Sequence, residues 1–235
     1  MRQGNLSTAG EMNADPDEKI IIDRIYSAVM EQRLAPRTKL SEAALCESFG
    51  VGRMRVRRSL LLLASQGIVD LHSNRGAYVA CPSAAEADEV FEARMMIEPG
   101  LVRAMAENIS DEVIKGLRRH LKREDAARKE RERSEIIRLS GEFHVELAKG
   151  HGNAALTRFV RELVTRTSLI VGLFGVNRES TCPENDHGQI VEAIATGDGN
   201  KAAKAVRDHL VHIQNGLDLT SVKNEQPDLA RILAG

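Results

Sequence analysis

The stretch Gly52-Arg53-Met54-Arg55-Val56-Arg57-Arg58 decides how the N-terminal part of this chain folds. Apolar residues continue from it at helical spacing, namely Val56, Leu60, Leu61, Leu63 and Ala64. This pattern predicts a helix that begins at about Arg53 and stops at Gln66-Gly67. Its apolar face would pack on a core, and the arginines would make its first two turns a basic surface.

Two further helices are predicted before this one. The first begins at Lys19, where apolar residues recur at helical spacing, and ends near Arg33 because Pro36 forces the residue before it into an extended conformation. Ser41 is a good N-cap and predicts a second, short helix that stops at Gly50. Residues 1–17 are polar without apolar periodicity and are predicted to form a disordered arm.

A β-hairpin is predicted after the basic helix. Ile68-Val69-Asp70-Leu71 and Ala77-Tyr78-Val79-Ala80 flank a polar turn that contains Arg75 and Gly76. The order helix, helix, turn, helix, hairpin predicts a winged helix-turn-helix domain over residues 18–82. In such a domain the third helix enters the major groove, where arginine forks can bond guanine. Double-stranded DNA is therefore the expected partner, with the hairpin tip against the DNA backbone.

The remainder of the chain is predicted to be helical. Six segments carry helical patterning: Ala84–Ile109, Asp111–Lys129, Glu135–Lys149, Ala154–Val176, Glu184–Thr196 and Asn200–Asp218. They predict a mainly α protein in which an antiparallel six-helix bundle over residues 83–219 follows the winged helix-turn-helix. Residues 220–235 are predicted to be a loose tail.

Composition and charge agree with two domains of different chemistry. Aromatic residues make up 3 % of the chain and Trp is absent, so aliphatic side chains must build the core, which favours helices. Residues 18–82 carry a net charge of +4, whereas residues 83–235 carry −3 and residues 1–17 carry −2. No apolar run approaches the ~20 residues of a membrane span, no signal segment is apparent, and three cysteines are widely spaced. These features predict a cytoplasmic protein that does not associate with membranes.

Three histidines are predicted to point into the helical bundle. His187 and His209 lie on the apolar faces of their helices, and His144 borders an apolar stripe. Imidazoles from three helices can converge on a transition metal such as Zn, Ni, Fe or Mn, although each alone is more often a hydrogen-bonded core residue. Three other histidines are interpreted as surface or helix-end residues: His120, His151 and His212. Of these, His212 is the best candidate for a substitute metal ligand.

Several N-terminal segments match one known pattern in order and spacing: Lys39-Leu40-Ser41-Glu42, Phe49-Gly50-Val51-Gly52-Arg53, Val56-Arg57, Leu60, Gly67-Ile68-Val69 and Asn74-Arg75-Gly76-Ala77-Tyr78-Val79. Together they resemble the winged helix of GntR-type bacterial repressors. The resemblance implies that the DNA-contacting residues belong to the second helix, the third helix and the wing: Ser41, Arg53, Arg55, Arg57, Arg58, Arg75 and Gly76. Gly52 and Met54 depart from the family by lacking hydroxyl groups, and Arg55 and Arg58 are expected to replace those phosphate contacts.

Segments of the helical half also match a known pattern: Phe91-Glu92-Ala93-Arg94, Ile97-Glu98, Phe143-His144, Gly152-Asn153, His187-x-x-Ile190-x-x-Ala193-Ile194, Gly197-Asp198, and Ala202 leading to His209. They resemble the FCD effector-binding domain of the FadR subfamily, and six helices are closer to its VanR-like branch. The 22-residue step from His187 to His209 agrees with the metal-binding members of that family.

The resemblance implies a metal and a small organic acid in the helical domain. Metal-binding relatives usually hold the ion with three histidines and an Asp, but Ser140 occupies the Asp position here. Three alternatives follow: three histidines and a water hold the metal, the effector's carboxylate completes the three-histidine site, or the site holds no metal. If a metal is bound, Zn is favoured, with Ni or Mn as alternatives. The implied effector-binding residues surround this position: Arg94, Ser140, His144, His187 and His209. Arg94 would pair with the acid or else form a salt bridge to a neighbouring helix.

These expectations combine into a homodimeric, ligand-responsive transcription regulator, most often a repressor in this family, that binds a palindromic operator and is not an enzyme. One alternative is a metal-dependent enzyme on the helical bundle. No general base is apparent beside the histidines, since Glu142 points about 160° away from His144 on an ideal helix. The other alternative is an architectural DNA-binding protein without a ligand.

Overall fold

The structure, a computed structural model, describes residues 15–175 and 185–220. Its N-terminal part contains α1 (Pro16–Met30), β1 (Lys39–Leu40), α2 (Glu42–Phe49), α3 (Arg53–Ser65), β2 (Val69–His72) and β3 (Gly76–Val79). The strands form an antiparallel sheet in the order β1-β3-β2, in which Tyr78 lies opposite both Lys39 and Asp70. The predicted winged helix-turn-helix is confirmed. Strand β1 was not predicted, because two residues are too short to show an alternating pattern.

The first helix begins earlier than predicted. Its N-cap is Asp15, whose carboxylate accepts the N–H of Asp17 at 3.2 Å, and Pro16 follows at the first helical position. The end of the predicted arm therefore belongs to α1, and residues 1–14 lie outside the described residues. At its other end α1 stops at Met30 rather than near Arg33.

Six helices follow in the described residues: α4 (Ala84–Glu107), α5 (Asp111–Glu130), α6 (Arg133–His151), α7 (Ala154–Phe174), α8 (Asp186–Ala195) and α9 (Gly199–Asn215). All six predicted segments are present as helices, and Ser83, Ser110, Asn153 and Asp198 cap four of them with side-chain oxygens. The predicted break at Ser180–Pro183 and the tail beyond residue 220 lie outside the described residues. Helix α4 packs on α7 and α9, and α6 packs between α5 and α7.

The winged helix and the helical part each bury a side chain in the hydrophobic core of the other. Met30, at the end of α1, is fully buried in the core of the helical part, whereas Leu169 of α7 is buried in the core of the winged helix. Tyr26 packs against both cores. The winged helix and the helical bundle therefore share a packed interface, through which a change in one can displace the other.

Within the described residues, no helix combines the length and the apolar character needed to cross a bilayer.

Candidate functional site

Three buried imidazoles meet inside the helical domain. His144 on α6, His187 on α8 and His209 on α9 have 3 %, 2 % and 1 % of their surface exposed. The Nε2 atom of His209 lies 3.2 Å from Nε2 of His144 and 3.2 Å from Nε2 of His187. The structure thus brings the three sequence-predicted histidines together through the same ring atom; they are called the three-histidine cluster below.

A carboxylate lies at the other ring nitrogen of each histidine. Glu98 Oε2 is 2.7 Å from His144 Nδ1, Glu124 Oε2 is 2.9 Å from His187 Nδ1, and Asp186 Oδ2 is 3.2 Å from His209 Nδ1. Carboxylates only accept hydrogen bonds when ionised, so each Nδ1–H donates to its carboxylate. A ring held in this way presents the lone pair of Nε2 to the centre of the cluster when it is neutral.

The ionisation states support this assignment. Burial lowers the pKa of His144 to about 3, which outweighs the opposing charge of Glu98. Burial alone would raise the pKa of Glu98, but the charge of Arg94 and the hydrogen bonds from Arg94 and His144 hold it well below its usual range. Likewise, hydrogen bonds from His120 and His187 outweigh burial and lower the pKa of Glu124 to about 2. The carboxylates are thus charged and His144 is neutral near pH 7.

The arrangement fits a divalent cation. Three lone pairs pointed at one another repel unless a positive charge lies between them. Two imidazole nitrogens bound to tetrahedral Zn²⁺ at about 2.0–2.1 Å would be about 3.3 Å apart, close to the 3.2 Å separations of the cluster. The ligand atoms of all three residues lie within 4.8 Å of one another. The surrounding charges of Arg94, Glu98, Glu124 and Asp186 are one positive and three negative, which a divalent cation would balance.

His120 departs from its interpretation as a surface or helix-end residue. It is 5 % exposed, and its Nε2 lies 2.9 Å from the carbonyl oxygen of Leu139 and 3.3 Å from Glu124 Oε1. Glu124 lies one helix turn after His120 on α5 and also contacts His187. His120 therefore helps to position His187 through Glu124. The spacing of four residues between His120 and Glu124 was the available signal. His212 is exposed and His151 is half-buried.

Arg94 is buried beside the cluster. Its exposure is 1 %; Nε donates to Glu98 Oε1 at 2.6 Å and Nη1 donates to the hydroxyl oxygen of Thr167 at 3.2 Å. Its remaining terminal nitrogen, Nη2, is buried without a hydrogen-bond partner among the described residues. The predicted salt bridge exists, but within α4 rather than to a neighbouring helix, and it leaves the N–H groups of Nη2 unused.

A cavity lies against Arg94 and His144. Its wall is formed by residues of α4, α6, α7 and α9, including Ser140, Gly141 and Val164. The hydroxyl of Ser140 makes no hydrogen bond to any described residue. The structure therefore places Arg94, Ser140 and His144 on one cavity, whereas His187 and His209 are not among the residues of its wall. This space is called the Arg94 cavity below.

The basic end of α3 is exposed, but acidic side chains pair with most of its arginines. Arg55 Nε donates to Asp15 at 2.9 Å, Arg57 Nε donates to Glu42 at 3.0 Å, and Arg58 Nη1 donates to Glu18 at 3.4 Å. Arg53 is exposed and has no ion-pair partner among the described residues. The three pairs were not foreseen, because they join α3 to residues distant in the chain.

The other predicted DNA contacts lie on the same domain. Ser41 caps α2 by accepting the N–H of Ala44 at 3.4 Å. Arg75 and Gly76 are exposed where the β2–β3 turn ends, and Gly76 has a φ of +92° that disfavours any other residue. Met54, exposed by 68 %, lies between Arg53 and Arg55 on α3.

Comparison with known proteins assigns the chain to a family. Residues 18–79 match the bacterial regulatory proteins of the GntR family, and residues 89–212 match the FCD domain. The chain belongs to the GntR transcriptional regulators of the FadR type, which carry an FCD domain. Members of this family are regulators and not enzymes, so the alternative of a metal-dependent enzyme is set aside. Assignment to the VanR-like branch stays a prediction.

Similar proteins carry corresponding names. An uncharacterised HTH-type transcriptional regulator from an unstable DNA locus of Streptomyces ambofaciens is 29 % identical over 93 % of this chain and 92 % of its own length. The HTH-type transcriptional repressor RspR of Escherichia coli is 26 % identical over 83 % and 85 %. A GntR regulator from Rhodococcus sp. RHA1 shares the fold with a TM-score of 0.75, at 18 % identity over 86 % of this chain and 97 % of that one.

Proposed function

We propose that this regulator is a ligand-responsive repressor of the cytoplasm whose helical domain holds a divalent transition metal and a small carboxylic acid. Zn²⁺ is the favoured ion, with Ni²⁺ or Mn²⁺ as alternatives. The convergence of three Nε2 lone pairs, each fixed by a carboxylate at Nδ1, is the observation that carries the proposal.

The metal would be held by His144, His187 and His209. Bound there, it would supply a Lewis-acidic positive centre at the edge of the Arg94 cavity. In sequence, Ser140 occupies the position at which metal-binding relatives carry a fourth, anionic ligand, and a hydroxyl group is a weaker ligand than a carboxylate. This deficit favours an effector that brings its own carboxylate to the site.

The effector's carboxylate would lie beside Arg94. A buried guanidinium nitrogen without a partner costs free energy, of about 1–3 kcal/mol or more for a charged group, and an incoming acid would remove that cost. Arg94 Nη2 and the unpaired hydroxyl of Ser140 both serve as donors to such an acid. Gly141 of the cavity wall packs against Met30 of α1, and this contact would link acid binding to the DNA-binding fold.

DNA would be read by α3 and the wing. Arg53 would contact bases or phosphates without first breaking an ion pair to a described residue. The ion pair between Arg57 and Glu42 must break before Arg57 can contact DNA. Arg55 and Arg58 would contact phosphates after leaving Asp15 and Glu18, with Ser41, Arg75 and Gly76 against the backbone. Met54 offers an apolar contact for a thymine methyl group.

A homodimer would present two such domains to a palindromic operator. Helix α4 carries a surface suited to a second copy. Met96 is 71 % exposed, and a Cβ on Gly100 would meet no atom within 4 Å. In an antiparallel pair of α4 helices related by a twofold axis, Met96 of one copy would face Gly100 of the other. Glu92 of one copy would then lie close to Arg103 of the other.

Operator binding tests this function. Duplexes selected from a random library by the zinc-loaded protein should be palindromic, and their affinity should fall steeply with salt because phosphate contacts release counterions. Arg53→Ala should weaken binding by about tenfold or more. Arg119→Ala, an exposed arginine of α5, is the matched control and should bind like the wild type. Failure to enrich any duplex would contradict the proposal.

A further inference from the structure

The lining of the Arg94 cavity combines a few polar groups with a larger aliphatic wall. Arg94, Ser140 and His144 contribute the polar groups described above. The remaining wall is largely aliphatic and comes from three helices: Ile136, Ile137, Val164, Val171 and Ile213. A ligand that fills this space therefore needs a polar group for the first set and an apolar body for the second.

Two hydroxyl groups in the wall are already engaged. Thr167 Oγ1 donates to the carbonyl oxygen of Leu163 at 2.8 Å and accepts from Arg94. Ser168 Oγ donates to the carbonyl oxygen of Val164 at 3.3 Å. Each hydroxyl carries a single proton, so neither can donate to a ligand without leaving its own helix. Apart from the engaged Thr167 and Ser168, the polar side chains in the lining are those of Arg94, Ser140 and His144.

We infer that the effector is a monocarboxylic acid with an unsubstituted aliphatic body, rather than a hydroxylated or sugar acid. The inference rests on the proposed function, because it takes the Arg94 cavity as the effector site. The carboxylate would take the donors of Arg94 and Ser140, and the hydrocarbon body would lie on the five aliphatic residues. A hydroxyl on that body would lose its water and find no free donor among the aliphatic residues and engaged hydroxyls, only the remaining acceptor lone pairs of Thr167 and Ser168, which disfavours binding.

Calorimetry with the full-length, zinc-loaded protein tests the inference without DNA. The probes are butanoate, hexanoate and octanoate, each paired with its terminally hydroxylated analogue, together with gluconate. At least one aliphatic acid should bind ten- to a hundredfold more tightly than its hydroxylated analogue, and gluconate should bind more weakly still. Equal or tighter binding of the hydroxylated acids would overturn the inference.

A matched pair of variants tests whether the preference for aliphatic over hydroxylated acids arises in the wall of the Arg94 cavity. Val171→Asn replaces the isopropyl group in the wall with an amide of similar size that both donates and accepts hydrogen bonds, and it should reduce the preference for the aliphatic acid by several-fold. Val211→Asn makes the same exchange at an exposed position of α9 outside the cavity and should leave the preference unchanged. Equal preference in Val171→Asn and the wild type would contradict the assignment.

Failure of the inference on effector class can be distinguished from failure of the proposed function. If zinc and operator bind but none of the acids does, the inference on effector class is wrong while the metal and DNA proposals stand. If the acids bind with the expected preference but no operator is found, the cavity assignment stands and the DNA proposal fails.

Discussion

Met30 of α1 lies against Gly141 of α6, so closely that a Cβ on Gly141 would come within 2.8 Å of the terminal methyl of Met30. The same Cβ would come within 3.1 Å of a methyl group of Val164. Gly141 and Val164 both belong to the wall of the Arg94 cavity. The last turn of α1 therefore packs against a residue of the cavity wall, and a ligand that displaces this wall would also displace α1.

Gly141→Ala should disturb this contact. The added methyl group forces Met30 or Val164 aside, and overpacking of this kind costs about 1–3 kcal/mol of stability. The ratio of operator affinities with and without a bound acid should move toward one. Fluorescence anisotropy with a selected duplex measures this ratio. Gly116→Ala, where a Cβ would meet only the end of Arg119 at 3.8 Å, is the control. An unchanged ratio in Gly141→Ala would show that coupling takes another route.

Arg94→Lys should separate charge from geometry. Lysine keeps the positive charge near Glu98 but lacks the fork that reaches Thr167 and the cavity at once. Acid binding measured by calorimetry should fall by at least tenfold. Arg94→Ala should cost more stability, about 3–5 kcal/mol in denaturant unfolding, because it leaves Glu98 buried without its partner. Acid affinity that is the same in wild type and Arg94→Lys would make Arg94 purely structural.

Acid should destabilise the metal-free protein. Burial lowers the pKa of His144 from 6.5 to about 3, so between these values the unfolded chain binds a proton that the folded chain does not. The free energy of unfolding must therefore fall as the pH drops below about 6.5, by at most about 1.4 kcal/mol per pH unit from this group. Urea unfolding at a series of pH values measures the slope. His144→Gln should flatten it, and the account fails here if both proteins show the same slope.

Met96→Arg should separate the copies of the chain. Two arginines would be brought into the proposed contact between α4 helices, where like charges repel. Sedimentation equilibrium should show a dimeric wild type and a mainly monomeric variant. Phe159→Arg places the same charge on another exposed apolar residue, 56 % exposed on α7, and should leave the dimer intact. A dimeric Met96→Arg would move the interface elsewhere.

The sequence predicted those features that depend on local patterns. Helical spacing located all six helices of the FCD domain and placed His144, His187 and His209 on inward faces, because periodicity reports which face is buried. It did not reveal Glu98 and Glu124 as partners of these histidines, since their contacts depend on how α4 and α5 pack against α6 and α8. His120 was missed for the same reason: its apolar surroundings come from α6.

Helix α3 shows a second limit of prediction from sequence. The arginines of α3 were recognised from their spacing, but their pairing with Asp15, Glu18 and Glu42 depends on the tertiary positions of α1 and α2. The contact between Met30 and Gly141 is likewise invisible in sequence, where a helical glycine has no obvious purpose.

Metal content tests the central claim most directly. Protein purified without tag or chelator should contain about one equivalent of a divalent metal per chain by mass spectrometry. His209→Ala should lose that metal, whereas His212→Ala, three residues further along α9 and exposed, should keep it. Equal metal in wild type and His209→Ala would contradict the account. So would a wild-type protein that takes up no metal after reconstitution with Zn²⁺, Ni²⁺ and Mn²⁺.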